Sequence, residues 1–448
     1  MGIPAVSCYY SWQMLNTDME QRLNTILSSV RKLNQPIAFS PLYRLLILPF
    51  IHMRPHFLFL LLCTALWGCA DETGETKPLP PELQAFIDEM RKAHAPDKRV
   101  ALLQLEPEFR DGKWIIRGET NLPDAQTELE KGLTDLGVDH AVSLLPAENL
   151  NGQHHGIVRL SACNIRSEAR HSAELSTQAT LGTPLNVYKK EEDWYLVQTP
   201  DGYLGWLDEA GFSLMDEKAY QDWEAREKVV FLPDFGMVYA SPSTDARPVS
   251  DLMAGNILAA QSAGEGFVKV QFPDGRTGYV PEGQLMPYEQ WLNRPAPDAA
   301  QILQTAERFI GRPYLWGGTS GKAMDCSGFT KTVFFLNGLM LPRDASQQVH
   351  SGVAIQADTS LQNLKAGDLL FFGRAATADT PEKITHVAIY RGDGEIIHAA
   401  GMVKVESLRP GTPNFAPERL MTFVRAKRFL AEREAVPGVV PLEEVAGY

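Results

Sequence analysis

One turn-centred pattern occurs twice in this chain. Val197-Gln198-Thr199-Pro200-Asp201-Gly202-Tyr203-Leu204-Gly205-Trp206-Leu207 matches Val270-Gln271-Phe272-Pro273-Asp274-Gly275-Arg276-Thr277-Gly278-Tyr279-Val280. Asp-Gly supplies the left-handed backbone of a tight turn, and the flanking alternation supplies two paired strands. One repeat period therefore corresponds to one small barrel. The remaining sequence is arranged around these two units. At 448 residues the chain is too long for one core and divides into about three or four domains.

Hydrophobic content of 44% and charged content of 22% are those of ordinary globular protein. The formal net charge of −13 argues against nucleic acid or an anionic membrane surface as the main partner. It does not select a substrate. The cysteines are Cys8, Cys63, Cys69, Cys163 and Cys326. Only Cys163 and Cys326 fall in the expected folded part, far apart and in different domains. That spacing argues against a disulfide framework and against a zinc site, which needs closely spaced Cys/His pairs. No metal or organic cofactor is implied.

Residues 57–66, Phe-Leu-Phe-Leu-Leu-Leu-Cys-Thr-Ala-Leu, form a compact apolar run preceded by Met53, Arg54 and His56. A short basic start, an apolar stretch too short to span a bilayer and small residues at the exit predict a secretory signal. Leu66-Trp67-Gly68-Cys69 resembles a bacterial lipobox, with Trp67 a bulky departure from it; the resemblance implies Cys69 as the lipidated first residue of the mature protein. The expected product is thus exported, a lipoprotein of the periplasm or cell surface that meets the membrane through its lipid anchor only. Translation then starts best at Met53, leaving 1–52 outside the native product and 53–69 as signal. The alternative is an ordinary buried helix over 43–66.

Residues 70–78 are polar and Pro-containing, a linker. Residues 79–150 predict a small α/β unit. Leu83, Phe86, Ile87 and Met90 have helical spacing over Pro81–Lys92. Val100–Phe109 and Trp114–Glu119 flank the turn Arg110-Asp111-Gly112-Lys113. Asp124 caps a second helix that Gly137 stops. Nothing in this unit carries obvious chemistry, which makes it a packing or interaction domain. Each copy of the repeat resembles a bacterial SH3-like domain, the two spanning 151–222 and 223–293, with Trp194, Trp206 and Tyr279 expected in the barrel cores.

The final domain, 294–430, follows the Pro-rich Asn293–Pro297, and 431–448 remain as a tail. Asp298 caps a helix running to Ile310, with Gly311 past its end. A Gly-rich loop, Arg312–Met324, leads to a second helix over Cys326–Asn337, with Gly338 as the stop. Strands are expected at Asp368–Phe372, His386–Arg391 and Glu395–Ala399, the last two joined by Gly392-Asp393-Gly394. Helices first and an antiparallel sheet after predict an α+β domain.

Cys326 stands where that loop becomes helical. At a helix N-terminus beside an imidazolium, a thiol pKa falls to roughly 3.5–7.5. Asp325 is a good N-cap, and the Cys326 N–H points toward a developing oxyanion. His386 is placed to take the thiol proton and return it to a leaving amine. His398, across the hairpin, is placed to orient the His386 ring. Alone, a cysteine at a helix start is more often a small core residue, and a lone histidine before a strand is more often structural. The combination carries the specificity.

Six motifs in order resemble the NlpC family of papain-like cysteine peptidases, which cleave bacterial cell-wall peptides. They are Arg312-Pro313-Tyr314-Leu315-Trp316-Gly317-Gly318, Asp325-Cys326-Ser327-Gly328-Phe329, Leu341-Pro342-Arg343-Asp344, Gly367-Asp368-Leu369-Leu370-Phe371-Phe372, His386-Val387-Ala388-Ile389-Tyr390 and Ile397-His398-Ala399. The resemblance implies Cys326 as nucleophile, His386 as base and His398 as orienting residue. It puts Tyr314 beside the nucleophile and Asp325, Ser327 and Asp344 along the substrate groove. The family usually has a hydroxyl residue after the Arg-Asp pair; this chain has Ala345. Arg374–Lys383 is longer than usual, a loop near the site.

The architecture expected is thus multidomain: a papain-like α+β catalytic domain, two SH3-like β-barrels and a small N-terminal α/β unit. It resembles that of the γ-D-glutamyl-L-diamino acid endopeptidases. The resemblance implies a murein stem peptide as partner, L-Ala-γ-D-Glu-diamino acid with a free amine, cut after D-Glu during wall-peptide recycling. In that group the first SH3-like domain closes one end of the cleft, and an aromatic and a carboxylate there read the amine. Tyr203 matches the aromatic; Glu174 is the carboxylate expected, with Glu168 next. The alternatives are an endopeptidase that remodels intact wall and an inert wall-binding protein.

Overall fold

The computed structural model describes residues 77–430 and 436–445. The expected signal over 53–69, Cys69 and residues 1–52 lie outside the described residues, as does most of the linker 70–78.

The N-terminal unit is two helices on a three-stranded sheet. Helix Pro81–His94 buries Leu83, Ile87 and Met90, one stripe at helical spacing. Strands Leu103–Arg110 and Lys113–Thr120 pair antiparallel around Asp111-Gly112, both at positive φ. Helix Pro123–Asp135 begins one residue before the position expected. Leu122 is its N-cap, and Asp124 lies in the first turn rather than capping it. Proline at the first helical position supplies the fixed φ that starts the helix. Strand Asp139–Leu144, unforeseen in the sequence, then lies parallel to Lys113–Thr120.

Two seven-stranded sheets follow, over His155–Met215 and Lys228–Pro287. Counted in chain order, both arrange their strands seventh, first, fourth, fifth, sixth, second, third. The repeated pattern forms the same hairpin in each. Val197 faces Gly205 and Val270 faces Gly278, with Gly202 and Gly275 at φ +83° and +86°. The expected packing of the repeat aromatics needs correction. Trp194 is buried, but Trp206 and Tyr279 are half-buried, and Leu207 and Val280 take the inward positions beside them. Successive strand residues face opposite ways, so one of each adjacent pair must leave the core.

In the last domain, helix α1 (Ala299–Glu307) starts with a capping box between Asp298 and Gln301. Helix α2 (Cys326–Leu336) ends where Gly338 takes φ +87°. Short helix α3 (Ala345–Gln348) follows. The sheet contains β1 (Val353–Ile355), β2 (Leu369–Arg374), β3 (Lys383–Gly392), β4 (Glu395–Ala400), β5 (Met402–Ser407) and β6 (Phe423–Arg428). Their order is β1-β6-β2-β3-β4-β5, antiparallel throughout. Phe329, Val333 and Phe334 of α2 pack on Phe371, Val387, Ile389 and Ile397 of the sheet. The tail is not wholly free: Val440–Pro441 pair with Leu339–Met340, and Val436, Val439, Leu442 and Val445 are buried.

The start of α2 is pressed against the glycine loop. A Cβ on Gly328 would lie 1.9 Å from the Gly318 carbonyl oxygen. Gly328→Ala is expected to cost about 1–3 kcal/mol by forcing the helix from the loop. Urea unfolding checks this; an unchanged midpoint overturns the packing argument.

Candidate active site

Asp325 builds the place where Cys326 stands. Its Oδ1 accepts the Gly328 N–H at 2.7 Å, an N-cap bond, and its Oδ2 accepts the Gly317 N–H at 2.9 Å. Arg343, 1% exposed, donates Nη1 to Oδ1 at 3.1 Å and Nη2 to Oδ2 at 2.6 Å. The Ser327 hydroxyl donates to Oδ1 at 3.3 Å. Five donors thus engage two oxygens, and the carboxylate of Asp325, which also lines the cleft, holds the helix start and a buried cation. Ser327, also buried, accepts from Arg343 Nη1 at 3.1 Å. Arg343 completes its fork on Thr177 of the first seven-stranded sheet, at 3.0 Å.

Cys326 is the first residue of α2 and 7% exposed. Its N–H therefore has no acceptor within the helix. Strand β3 runs past it, and the Val387 N–H reaches the sulfur. His386 precedes Val387 and is nearly buried. Ile389 faces Ile397 across the β3–β4 hairpin, which sets His386 and His398 diagonally on neighbouring strands. His386 Nε2 lies 2.7 Å from His398 Nδ1, and the rings meet edge-on at 78°. His398 Nε2 then meets Glu406 Oε2 at 2.9 Å.

That chain fixes the protons. Against the cost of burial, bonds from Lys404 and His398 hold the Glu406 carboxyl below its ordinary range. The carboxylate accepts, so His398 Nε2 carries a hydrogen, and the Nδ1 of neutral His398 must accept. His386 therefore donates from Nε2 and keeps its lone pair on Nδ1, the nitrogen turned away from His398.

Electrostatics correct one expectation. Burial and the Asp325 charge push the Cys326 thiol up to about 11, with the Val387 N–H and Arg343 acting the other way. Burial, then the adjoining His398 ring, pushes His386 well below its ordinary range. Burial likewise takes His398 to about 4, with Glu406 opposing. Taken singly, each of the two groups is pushed toward its neutral form, against the low-pKa thiolate expected from the sequence. A buried site disfavours each charge taken singly, so the proton moves within the pair.

A cleft of about 690 Å³ opens over Cys326. Tyr314, Asp325, Ser327, Arg343 and Asp344 line it from the last domain, and Glu174 and Tyr203 from the connections just before two strands of the first seven-stranded sheet. Burial and then nearby negative charge push the Tyr314 hydroxyl up to about 12, which keeps it a donor. The Tyr203 hydroxyl donates to Asp344 Oδ2 at 3.0 Å. Trp316 Nε1 donates to Glu174 Oε1 at 2.6 Å. Glu168, the second carboxylate weighed, pairs with Arg170 at 2.9 Å and does not line the cleft. Lys383, Ile384 and Thr385, at the end of the long Arg374–Lys383 segment, complete one wall.

Residues 311–422 match the NlpC/P60 family, and residues 165–212 match the bacterial dipeptidyl-peptidase Sh3 domain. Over 266 residues the chain is 31% identical to a γ-D-glutamyl-L-lysine dipeptidyl-peptidase of Bacillus cereus, covering 57% of this chain and 76% of that protein. A protein of the same name from Bacillus subtilis is 30% identical over 233 residues, 50% of this chain and 72% of that one. The chain belongs to the NlpC/P60 family. It is a cell-wall peptidase of the cysteine type, carrying an SH3-like domain. A solved NlpC/P60 family protein from Bacillus cereus superposes with a TM-score of 0.52 at 25% identity, over 62% of this chain and all of that one.

Three residues of this NlpC/P60 site were given no role in the sequence reading. Arg343 stood inside a quoted motif, but its burial depends on a second domain. Glu406 sits on β5, whose alternation Val403-Lys404-Val405-Glu406 is a usable strand signal. Arg99 comes from the N-terminal unit, and no local pattern marks it.

Arg343→Met strands Asp325 as a buried charge and is expected to cost about 3–5 kcal/mol, while Arg343→Met with Asp325→Asn costs less than the sum. A double-mutant cycle by urea unfolding checks this; additivity overturns it. For the thiol, the sign follows from its raised pKa: it is protonated below about 11. Alkylation of Cys326 by iodoacetamide should be slow at mildly acidic pH and keep rising above neutrality. A rate already level in acid overturns the raised thiol pKa.

Proposed function

We propose that this peptidase cuts the γ-D-Glu–L-diamino acid bond of murein stem peptides that carry a free N-terminal L-Ala, in the recycling of wall peptides. One observation carries the reading: Tyr203 and Glu174, from the SH3-like domain, line the same cleft as Cys326. A carboxylate and a hydroxyl at one end suit an ammonium group, and a cleft closed there would exclude a sugar-linked chain. The names of the two Bacillus relatives support the linkage.

In this proposal Cys326 Sγ attacks the γ-carbonyl carbon while His386 Nδ1 takes its proton. The oxyanion meets the Cys326 N–H and the Tyr314 hydroxyl. His386 returns the proton to the leaving amine, and water then releases the acyl group. His398 and Glu406 hold the His386 tautomer throughout. Ser327 and Asp344 line the peptide groove, and Ala345 offers no hydroxyl to it. The site acts outside the cytoplasm, on a protein anchored through Cys69.

The test is hydrolysis of three substrates: free L-Ala-γ-D-Glu-diamino acid, its N-acetyl derivative and intact wall. Free peptide is expected to be cleaved at least about tenfold faster than the acetylated one, since acetylation removes the cation that the partly exposed carboxylates of the cleft would meet. Cys326→Ala should abolish cleavage. Equal rates on free and acetylated peptide sink the amine reading, and residual cleavage by Cys326→Ala sinks the mechanism.

A further inference from the structure

The N-terminal unit sends one loop into the active-site cleft. Lys98 and Arg99 line the cleft together with Cys326 and Tyr203. Arg99 Nε and Nη2 donate to Asp97 Oδ1 and Oδ2 at 2.8 and 2.7 Å. Its Nη1 donates to Asp344 Oδ2 at 2.7 Å and to the Ser346 hydroxyl at 3.0 Å. Asp344 Oδ2 is the atom that also accepts from Tyr203. Gln347 Nε2 donates to Asp97 Oδ2 at 2.8 Å, tying the loop to α3 a second time. The backbone is pinned as well. Leu204 N–H donates to the Arg99 carbonyl at 2.7 Å, and Gln198 Nε2 to the Val100 carbonyl at 3.0 Å.

Three parts of the chain therefore meet on one carboxylate oxygen. The charges explain what the loop contributes. Against burial, bonds from Arg99 and Gln347 hold the Asp97 carboxyl down to about 2, so Asp97 and Arg99 form a compensated pair. The pair brings no net charge to the closed end. It brings a rigid fork, with one arm on Asp97 and the other on Asp344. Without that arm Asp344, whose side chain is 27% exposed, keeps the Tyr203 hydroxyl, its capping-box contact with the Gln347 backbone and a guanidinium contact of 3.7 Å to Arg343.

We infer that the 79–150 unit is a built part of the catalytic cleft, and that Arg99 is a positioning residue that fixes Asp344 against Tyr203, at the end of the cleft proposed above for the ammonium group. This deepens the free-amine reading above and rests on it for the identity of the group bound. Arg99 acts through Asp344, so its effect belongs to substrate affinity and not to the bond-breaking step.

The test is the charge-neutral pair Asp97→Asn with Arg99→Met, which removes the fork and leaves the net charge of the closed end unchanged. KM for free L-Ala-γ-D-Glu-diamino acid is expected to rise about tenfold, the worth of one charged hydrogen bond, with kcat held within about twofold. Alkylation of Cys326 by iodoacetamide is expected at the wild-type rate. An unchanged KM overturns the inference, and so does a fall in kcat with altered alkylation, which marks general loosening. Should the double variant fail to fold, Arg99→Lys decides by the same split: it keeps the charge but cannot hold both carboxylates, so KM should rise less than tenfold and more than not at all. The N-acetyl peptide separates the two readings. If the wild type cleaves both peptides alike, the amine reading has failed; the loop's role then stands if the double variant raises KM for both and falls if it raises neither.

Discussion

The buried pair of Asp325 and Arg343 is the interaction on which the rest of the site depends. It sits under the first turn of α2, and each bond it makes fixes a different part of the structure: the helix start through the Gly328 N–H, the glycine loop through the Gly317 N–H, the neighbouring domain through the Thr177 hydroxyl that accepts from Arg343. Such a pair is poor ground for net stability, because removing two charges from water costs several kcal/mol per ion before any attraction is counted. Its contribution is geometric. A bidentate guanidinium–carboxylate contact has one good arrangement, and here that arrangement sets the direction in which Cys326 leaves the helix.

The same pair works against the nucleophile's charge. Asp325 caps the helix, but its negative charge lies close beneath the thiol and adds to the effect of burial. Arg343 offsets only part of this. A helix N-terminus alone would stabilise a thiolate; a helix N-terminus capped by a carboxylate and covered by a sheet does not. The site compensates with a base rather than with a field. Burial keeps both histidines neutral, and Glu406 decides which nitrogen of each carries the hydrogen.

What was legible in the sequence was what is local. Asp325 as cap, Gly338 as stop, the Asp-Gly hairpins of both repeats and the two histidine strands all follow from residues within a turn or a hairpin of one another. The strand Asp139–Leu144 was not legible, because a parallel neighbour is joined through a whole helix and leaves no turn signal. Glu406 was hidden because its meaning lies on the next strand, opposite His398's neighbours. Arg99 and Arg343 were hidden for a stronger reason: their partners Asp344 and Thr177 stand 245 and 166 residues away. Trp206 and Tyr279 failed differently, while Trp194 is buried as expected. Size suggested burial, but the pleat gave the inward position to Leu207 and Val280.

The glycine loop shows how domain packing and chemistry share residues. Gly317 takes φ +79°, and a Cβ there would lie 2.2 Å from the Leu175 carbonyl oxygen. Next to it Thr319 and Gln178 exchange three bonds: Gln178 N–H to the Thr319 hydroxyl at 3.0 Å, that hydroxyl to the Gln178 carbonyl at 2.8 Å, and the Thr319 N–H to the Gln178 side chain at 3.1 Å. The strand Leu175–Thr180 is therefore docked on the loop that precedes the nucleophile, one residue from Glu174. Side chains on that strand cannot shift without moving the loop, and the loop cannot move without straining Asp325. The cleft wall beside Glu174 and the placing of Cys326 are therefore held by one set of contacts.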